Sequence, residues 1–156
     1  MDYPDVTLVV QIGVASNREQ YVHRVGRSGR AGKPGLGLLI LYDFEHFFVR
    51  DDLRGIPVQQ VHSNEYVYEN VGVSRALDRV SRDPRCREIR EKTGSQAYAA
   101  WMGYMNGFKR KFGGVNELVR LANEFALSIG LPDVPSIPKK TVGKMGLKGV
   151  PGLRLE

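Results

Sequence analysis

The alternation of apolar and polar positions divides this chain into two kinds of structure. The run Thr7-Leu8-Val9-Val10-Gln11-Ile12 is almost continuously β-branched or apolar, the pattern of a buried strand in a parallel sheet. Ser16 or Asn17 is placed to cap a helix over 17–26, with Glu19 and Gln20 in its first turn. Lys33-Pro34-Gly35 makes a turn, and the apolar run at 36–42 reads as a second buried strand. Asp43 then caps a helix reaching about Leu53, with Phe44, Phe47 and Phe48 on its apolar side. Gly55-Ile56-Pro57 breaks it, and 58–61 reads as a short third strand at the sheet edge. This order of strands and helices implies an open parallel α/β sheet.

The pattern changes near His62-Ser63-Asn64-Glu65 and becomes helical. Helices are expected over 66–81 and 84–92, with Gly94-Ser95 separating the latter from two cleaner ones. In the first of these, Tyr98, Trp101, Met105, Phe108 and Phe112 recur at helical spacing. In the second, Val115, Leu118, Ala122, Phe125 and Ile129 do the same, and Gly113-Gly114 joins the two as an antiparallel hairpin. The aromatic stripe reads as core rather than as a base-stacking platform. Residues 131–138 hold three prolines and are extended, Pro138 starts a short helix to about Met145, and the Gly/Pro-rich stretch 146–156 reads as loosely ordered. No internal repeat or low-complexity tract is present.

Charge sharpens the division. Residues 1–65 carry 7 Lys+Arg against 8 Asp+Glu, and residues 66–156 carry 16 against 9, so the net charge of +6 belongs to the second half. A basic half on a near-neutral half points to an appended nucleic-acid-binding surface. No run of 18 apolar residues exists, so no membrane partner is expected. No signal peptide opens the chain. Cys86 is the single cysteine, which forbids an internal disulfide and fits a reducing compartment. With three scattered His residues it offers no metal-ligand spacing, and no metal site is expected.

The chemistry concentrates in Tyr21-Val22-His23-Arg24-Val25-Gly26-Arg27-Ser28-Gly29-Arg30-Ala31-Gly32. Arg24, Arg27 and Arg30 stand at i, i+3 and i+6. On a helix Arg24 and Arg27 lie one turn apart near one face, and the glycines that end the helix turn Arg30 back toward them. The bland reading is a solvated basic helix end. The sharper one is a polyphosphate site, because guanidinium forks match phosphate oxygens.

This string resembles the last motif of DEAD-box RNA helicases, His-Arg-x-Gly-Arg-x-x-Arg. Met1-Asp2-Tyr3-Pro4-Asp5-Val6 resembles the tail of the preceding motif of that family, Arg-Gly-x-Asp-x-Pro, with its Arg-Gly absent, so the parent protein is expected to extend before Met1. The resemblance implies the C-terminal part of the second RecA-like lobe: a partial RecA-like parallel sheet with flanking helices over 1–63, followed by an all-helical basic extension over 64–156. It implies that Arg27 and Arg30 are arginine fingers acting on the γ-phosphate across an interlobe cleft. His23, Arg24 and Gly26 would couple nucleotide state to closure of the lobes, and Asp2 would accept hydrogen bonds from the ATP ribose. Gly26 and Gly29 would permit close backbone packing. Ser28 stands where Thr is commoner, Ala15 where many members have Pro, and Gln11-Ile12-Gly13 where many have a Tyr-Asp pair. None of these removes a charged group.

The stretch 97–154, including Ala-Trp-Met-Gly-Tyr-Met-Asn and Ile-Pro-Lys-Lys-Thr-Val-Gly-Lys-Met-Gly-Leu, is similar to the extension of one branch of the family. That branch holds fungal mitochondrial RNA chaperones that assist intron splicing, and plant relatives. It implies RNA contacts, to phosphate and without sequence preference, from Arg75, Arg79, Arg82, Arg85, Arg87, Arg90, Lys109, Arg110, Lys111, Lys139, Lys140 and Lys144. The expected function is the C-terminal part of an ATP-dependent RNA helicase that unwinds short duplexes, using ATP with Mg²⁺ in the parent. Its partners would be RNA and the N-terminal RecA-like lobe. No Gly-x-x-x-x-Gly-Lys-Ser/Thr string or acidic Mg²⁺-binding motif is present, so this stretch alone is expected to hold no nucleotide tightly and to hydrolyse none. The competing reading is a non-catalytic RNA-binding or scaffold module that works without ATP. The mitochondrial matrix is the expected compartment, with nucleus or cytoplasm as the alternatives. An unpaired sheet edge would invite self-association.

Overall fold

The structure, a computed structural model, describes residues 6–61 and 71–156. The chain divides into two compact units, Met1–Gln60 and Val61–Glu156.

The first unit is built on two parallel strands, β1 (Leu8–Ile12) and β2 (Leu36–Ile40), paired in register from Leu8 opposite Leu36 to Ile12 opposite Ile40. Helix α1 (Arg18–Val25) crosses between them. Asn17 caps it, its Oδ1 accepting the Gln20 amide at 2.8 Å, which satisfies one of the orphan donors of the first turn. Tyr21 is buried edge-on against Phe48, with ring centroids 6.1 Å apart, and Val25 lies over Gly37 of β2.

Three expectations for this unit are corrected. The strands are not buried on both faces: Leu8, Val10, Ile12, Leu36 and Ile40 are exposed, and only Gln11 of β1 is buried. Strand side chains alternate between faces, and among the described residues the Leu8–Val10–Ile12 face remains open. The third strand is not formed: residues 58–61 have no regular secondary structure and pair with no strand among the described residues. Pro57 lacks an amide to donate, and its neighbours Gln59 and Gln60 are exposed. The segment after β2 is not a regular α-helix capped by Asp43. It is a 3₁₀ turn (Asp43–Glu45) followed by a π-helical turn (Phe48–Asp52). Glu45, only 4% exposed, folds back to accept the Tyr42 amide at 2.9 Å, so Tyr42 takes the cap position.

The second unit is helical around one core. Helix α2 (Val71–Arg82) leads into α3 (Pro84–Asn106), capped by Asp83 with Pro84 at its first position. Residues 66–70 of the expected preceding helix lie outside the described residues. Helix α3 runs unbroken through Gly94-Ser95, where the sequence predicts a helix boundary. Gly94 is a contact residue there: a Cβ on it would lie 2.6 Å from Cδ2 of Leu131. The helix ends before Phe108, and Lys109–Lys111 forms a 3₁₀ turn. Gly113 and Gly114, at φ of 115° and 90°, make the left-handed turn that other residues enter reluctantly. Helix α4 (Val115–Ser128) then returns antiparallel to α3. Tyr98, Met102 and Met105 meet Leu118, Val119 and Ala122 in the core, and Trp101 stacks on Phe125 at 5.3 Å. Of the expected aromatic stripe, Tyr98 and Met105 are core, whereas Trp101, Phe108 and Phe112 are half-buried and the last two lie beyond the end of α3.

Pro138 precedes α5 (Lys139–Met145). The stretch beyond it is not loose. Strand β3 (Ser136–Ile137) pairs in parallel with β4 (Arg154–Leu155), Leu147 is fully buried, and Arg154 is ion-paired with Asp133. The Tyr98 hydroxyl donates to Asn123 at 2.9 Å, and Asn123 donates to the Gly152 carbonyl at 3.0 Å. Burial pushes the Tyr98 phenol up to about 12. Leu147→Ala is expected to lower stability by about 2–5 kcal/mol through the cavity it leaves. A denaturant midpoint equal to wild type would refute the docking of this segment.

Candidate functional site

The arginine motif is built by local turns on one side of the sheet. Helix α1 ends at Gly26, whose amide donates to Val22 at 2.8 Å. The Arg27 and Ser28 amides then close onto the carbonyls of Arg24 and Val25, at 3.2 and 3.0 Å. The Ser28 hydroxyl donates to the same Val25 carbonyl at 3.0 Å. Gly29 follows at φ 68°.

Three motif residues line one cleft. His23, Arg24 and Arg27, with Gln20, face Val9, Val10, Gln11 and Ile12 across a volume of about 550 Å³. All three are exposed, and no Asp or Glu lines the cleft among the described residues. His23 and Arg27 make no hydrogen bond or ion pair among the described residues, and Arg24 donates to Oε1 of Gln20 at 3.2 Å. Arg30 is not among the cleft-lining residues. It is exposed, and its Nε donates to the Gly26 carbonyl at 2.9 Å. Asp2 lies outside the described residues. Uncompensated guanidinium groups on an open cleft suit a polyanion.

Two supports of this site escape a reading by motif. Gln20 looks like an ordinary first-turn residue, yet its Oε1 accepts from the Ser16 amide and hydroxyl as well as from Arg24. Gly35 looks like half of a Pro-Gly turn, yet a Cβ there would stand 2.3 Å from the Gly29 amide nitrogen. Glu45 holds the loop before α1 from below. Burial raises its carboxyl pKa, while the Tyr42 and Val14 amides pull it down.

The basic residues of the second unit fall into distinct groups. Arg75, Arg79 and Arg82 recur at i, i+4 and i+7 along α2, all exposed, so they share one face. Arg75 and Arg79 have no ion pair among the described residues, and Arg82 stands 4.0 Å from Asp78. Arg85 and Arg87 are paired with Asp83 and Glu91 at 2.7 and 2.9 Å. Arg90 is half-buried and donates to the Val80 carbonyl of α2 at 3.4 Å, a contact between helices. A further group gathers where α3 and α5 end. Asn106 donates to the Met145 carbonyl at 3.1 Å and accepts from Lys109 at 2.9 Å. This brings the turn of Lys109, Arg110 and Lys111 close to the helix end bearing Lys144. Lys139 and Lys140 are exposed at the other end of α5. Lys148, which no sequence pattern singles out, lies exposed beside Gly143.

Comparison with known proteins gives a consistent picture. Residues 1–32 match the family described as "Helicase conserved C-terminal domain". The chain is 46% identical over 155 residues to DEAD-box ATP-dependent RNA helicase 31 of Arabidopsis thaliana, aligning 99% of its length with 20% of that protein. It is 42% identical over 159 residues to the mitochondrial ATP-dependent RNA helicase MSS116 of Phaeosphaeria nodorum, covering 99% of the chain and 27% of the relative. A solved structure of Mss116p bound to ssRNA and AMP-PNP matches with a TM-score of 0.59 at 24% identity. It covers the whole chain and 30% of its own, and shows the same fold. The chain spans about a fifth to a quarter of the length of the curated relatives it matches.

Proposed function

We propose that this chain is the C-terminal part of a DEAD-box ATP-dependent RNA helicase, carrying the end of the second RecA-like lobe and a basic RNA-binding extension. The observation that carries the reading is the set of His23, Arg24 and Arg27 on a cleft lined by no acidic side chain among the described residues. These residues belong to a motif within residues 1–32, the stretch similar to the helicase C-terminal domain.

In this reading the cleft takes the polyphosphate of ATP. Arg27 and Arg30 supply positive charge where negative charge develops on the transferred phosphoryl oxygens. Arg30 must exchange its present contacts, the Gly26 carbonyl among them, for phosphate oxygens. His23 and Arg24 couple the nucleotide to the facing lobe. In this reading Mg²⁺ arrives with the nucleotide and is held by the acidic motif that the resembling family carries in its first lobe. This chain by itself turns over no ATP. The mitochondrial name of the Phaeosphaeria nodorum relative supports the mitochondrial matrix as its compartment.

RNA is gripped by the exposed basic side chains of the second unit. Arg75 and Arg79 of α2 have the strongest claim, because they make no ion pair among the described residues, whereas Arg85 and Arg87 already hold carboxylates and Arg90 ties helices together. Single-stranded RNA affinity is expected to fall linearly with salt on logarithmic axes. Arg75→Gln with Arg79→Gln should flatten the slope by about 0.7 for each phosphate no longer neutralised. An unchanged slope would remove α2 from the RNA path. The decisive experiment is steady-state ATP turnover of the full-length protein with and without RNA. Stimulation by RNA supports the reading, whereas RNA binding with no turnover favours a scaffold module.

A further inference from the structure

We propose that Gln20 is a positioning residue of the arginine motif, orienting Arg24 through a neutral acceptor so that its charge stays available to an anion in the cleft. The inference rests on the assignment of that cleft to polyphosphate.

Gln20 lies on the third residue of α1 and lines the cleft beside His23, Arg24 and Arg27. Its Oε1 accepts from the Ser16 amide at 3.0 Å, from the Ser16 hydroxyl at 2.8 Å and from Nη2 of Arg24 at 3.2 Å. One carbonyl oxygen therefore joins the loop entering the helix to the guanidinium one turn above. Ser16 pins the acceptor, and the acceptor in turn restricts Arg24. A restricted guanidinium loses less conformational freedom when it meets phosphate, so more of the interaction appears as binding.

The chemistry of the acceptor matters as much as its place. The local rules of helix formation favour Glu at this position. A carboxylate there completes a capping box, complements the positive end of the helix and pairs with a cation four residues on. Gln at this position accepts from Ser16, the residue before the Asn17 cap, and from Arg24, and it forgoes the charge. A carboxylate at this position would neutralise Arg24 within the cleft and repel an incoming phosphate. The amide holds the same geometry at no electrostatic loss to the site. Helix stability and anion recognition thus ask for different residues at position 20, and the chain carries the one that serves recognition.

This makes a test in which stability and function move in opposite directions. In the full-length protein, Gln20→Glu is expected to leave Tm unchanged or raise it by roughly 1 °C. Its kcat/KM for ATP in the presence of RNA should fall about fivefold, the upper end of what an exposed ion pair supplies. Gln20→Met keeps the length and removes the acceptor, so it should fall by a similar factor as Arg24 loses its restraint. A purely helix-capping role predicts instead that Gln20→Glu is at least as active as wild type, and that result would overturn the proposal. So would full activity in Gln20→Met, or a loss in Gln20→Glu that follows a drop in Tm. A wild-type protein with no ATP turnover overturns the polyphosphate assignment and this inference with it. An active wild type with an unaffected Gln20→Glu variant overturns this inference alone.

Discussion

Replacing Arg30 by alanine in the full-length protein is expected to lower RNA-stimulated ATP turnover by about a thousandfold or more, the range of an arginine finger, with RNA binding largely intact. Arg30 is exposed and follows the left-handed Gly29. Its hydrogen bond to the Gly26 carbonyl is a surface contact. Truncating it removes this bond and its other interactions and should lower stability by about 0.5–1.5 kcal/mol, far less than the loss in turnover. The loss then falls on chemistry, because a guanidinium that reaches the phosphoryl oxygens offsets charge that is greatest in the transition state. Arg30→Lys should recover little, since an ammonium lacks the planar fork. Turnover at saturating RNA, measured beside RNA affinity for each variant, checks both halves of the expectation. Near-normal turnover would move the finger to Arg27, which already lines the cleft, and Arg27→Ala would then carry the thousandfold loss.

Gly35→Ala is expected to be the most damaging small substitution in the first unit. A methyl group there would lie 2.3 Å from the Gly29 nitrogen, 2.8 Å from its Cα and 2.8 Å from Oγ of Ser28. Two of those atoms are backbone and cannot swing aside, so the Ser28–Gly29 turn or the start of β2 must move. Overpacking of this kind costs about 1–3 kcal/mol or more. Because the displaced turn lies between Arg27 and Arg30, ATP turnover should fall as well, beyond what the loss of stability explains. Gly32→Ala is the control. Gly32 also has positive φ, at 75°, but open space around it, so only backbone strain of about 1–2 kcal/mol is added. A urea midpoint and turnover equal to wild type in Gly35→Ala would show that the close approach is not needed to hold the arginine turn.

Much of the site was legible because its pieces are local. Asn17 caps α1 as its residue type predicts, and Gly26 ends the helix within the motif itself. Arg24 and Arg27 lie three residues apart at a helix end, so the turn that unites them with His23 on one cleft is set by neighbours in the chain. The Arg30 turn departs from the simple picture, since its guanidinium caps the Gly26 carbonyl instead of lining that cleft. Gln20 and Gly35 were missed for opposite reasons. The role of Gln20 depends on which of several local partners its oxygen meets, and that of Gly35 on a backbone approach between two loops. Charge placement was equally readable, but its use was not. Arg75 and Arg85 look alike in sequence, yet Arg85 holds Asp83 whereas Arg75 makes no ion pair among the described residues.

Periodicity and turn chemistry alone settled the division of the chain into an α/β part and a helical part. They also set the Asn17 cap of α1, the glycine turn between α3 and α4, and the spacing that brings Tyr98, Met105, Leu118 and Ala122 into the core. Each of these depends on residues within one or two turns of each other. Tertiary structure alone decided that 58–61 pairs with no strand among the described residues, and that one face of β1 and β2 stays open. It also decided that α3 runs through Gly94, where Leu131 packs against the gap a side chain would fill. The same holds for the final segment, which looks loose from its glycines and prolines. It is held by Leu147 in the core and by β4 pairing with a strand some eighteen residues earlier. In each case the deciding energy comes from surfaces and hydrogen-bonding groups far apart in sequence, and local propensity is too small to outweigh them.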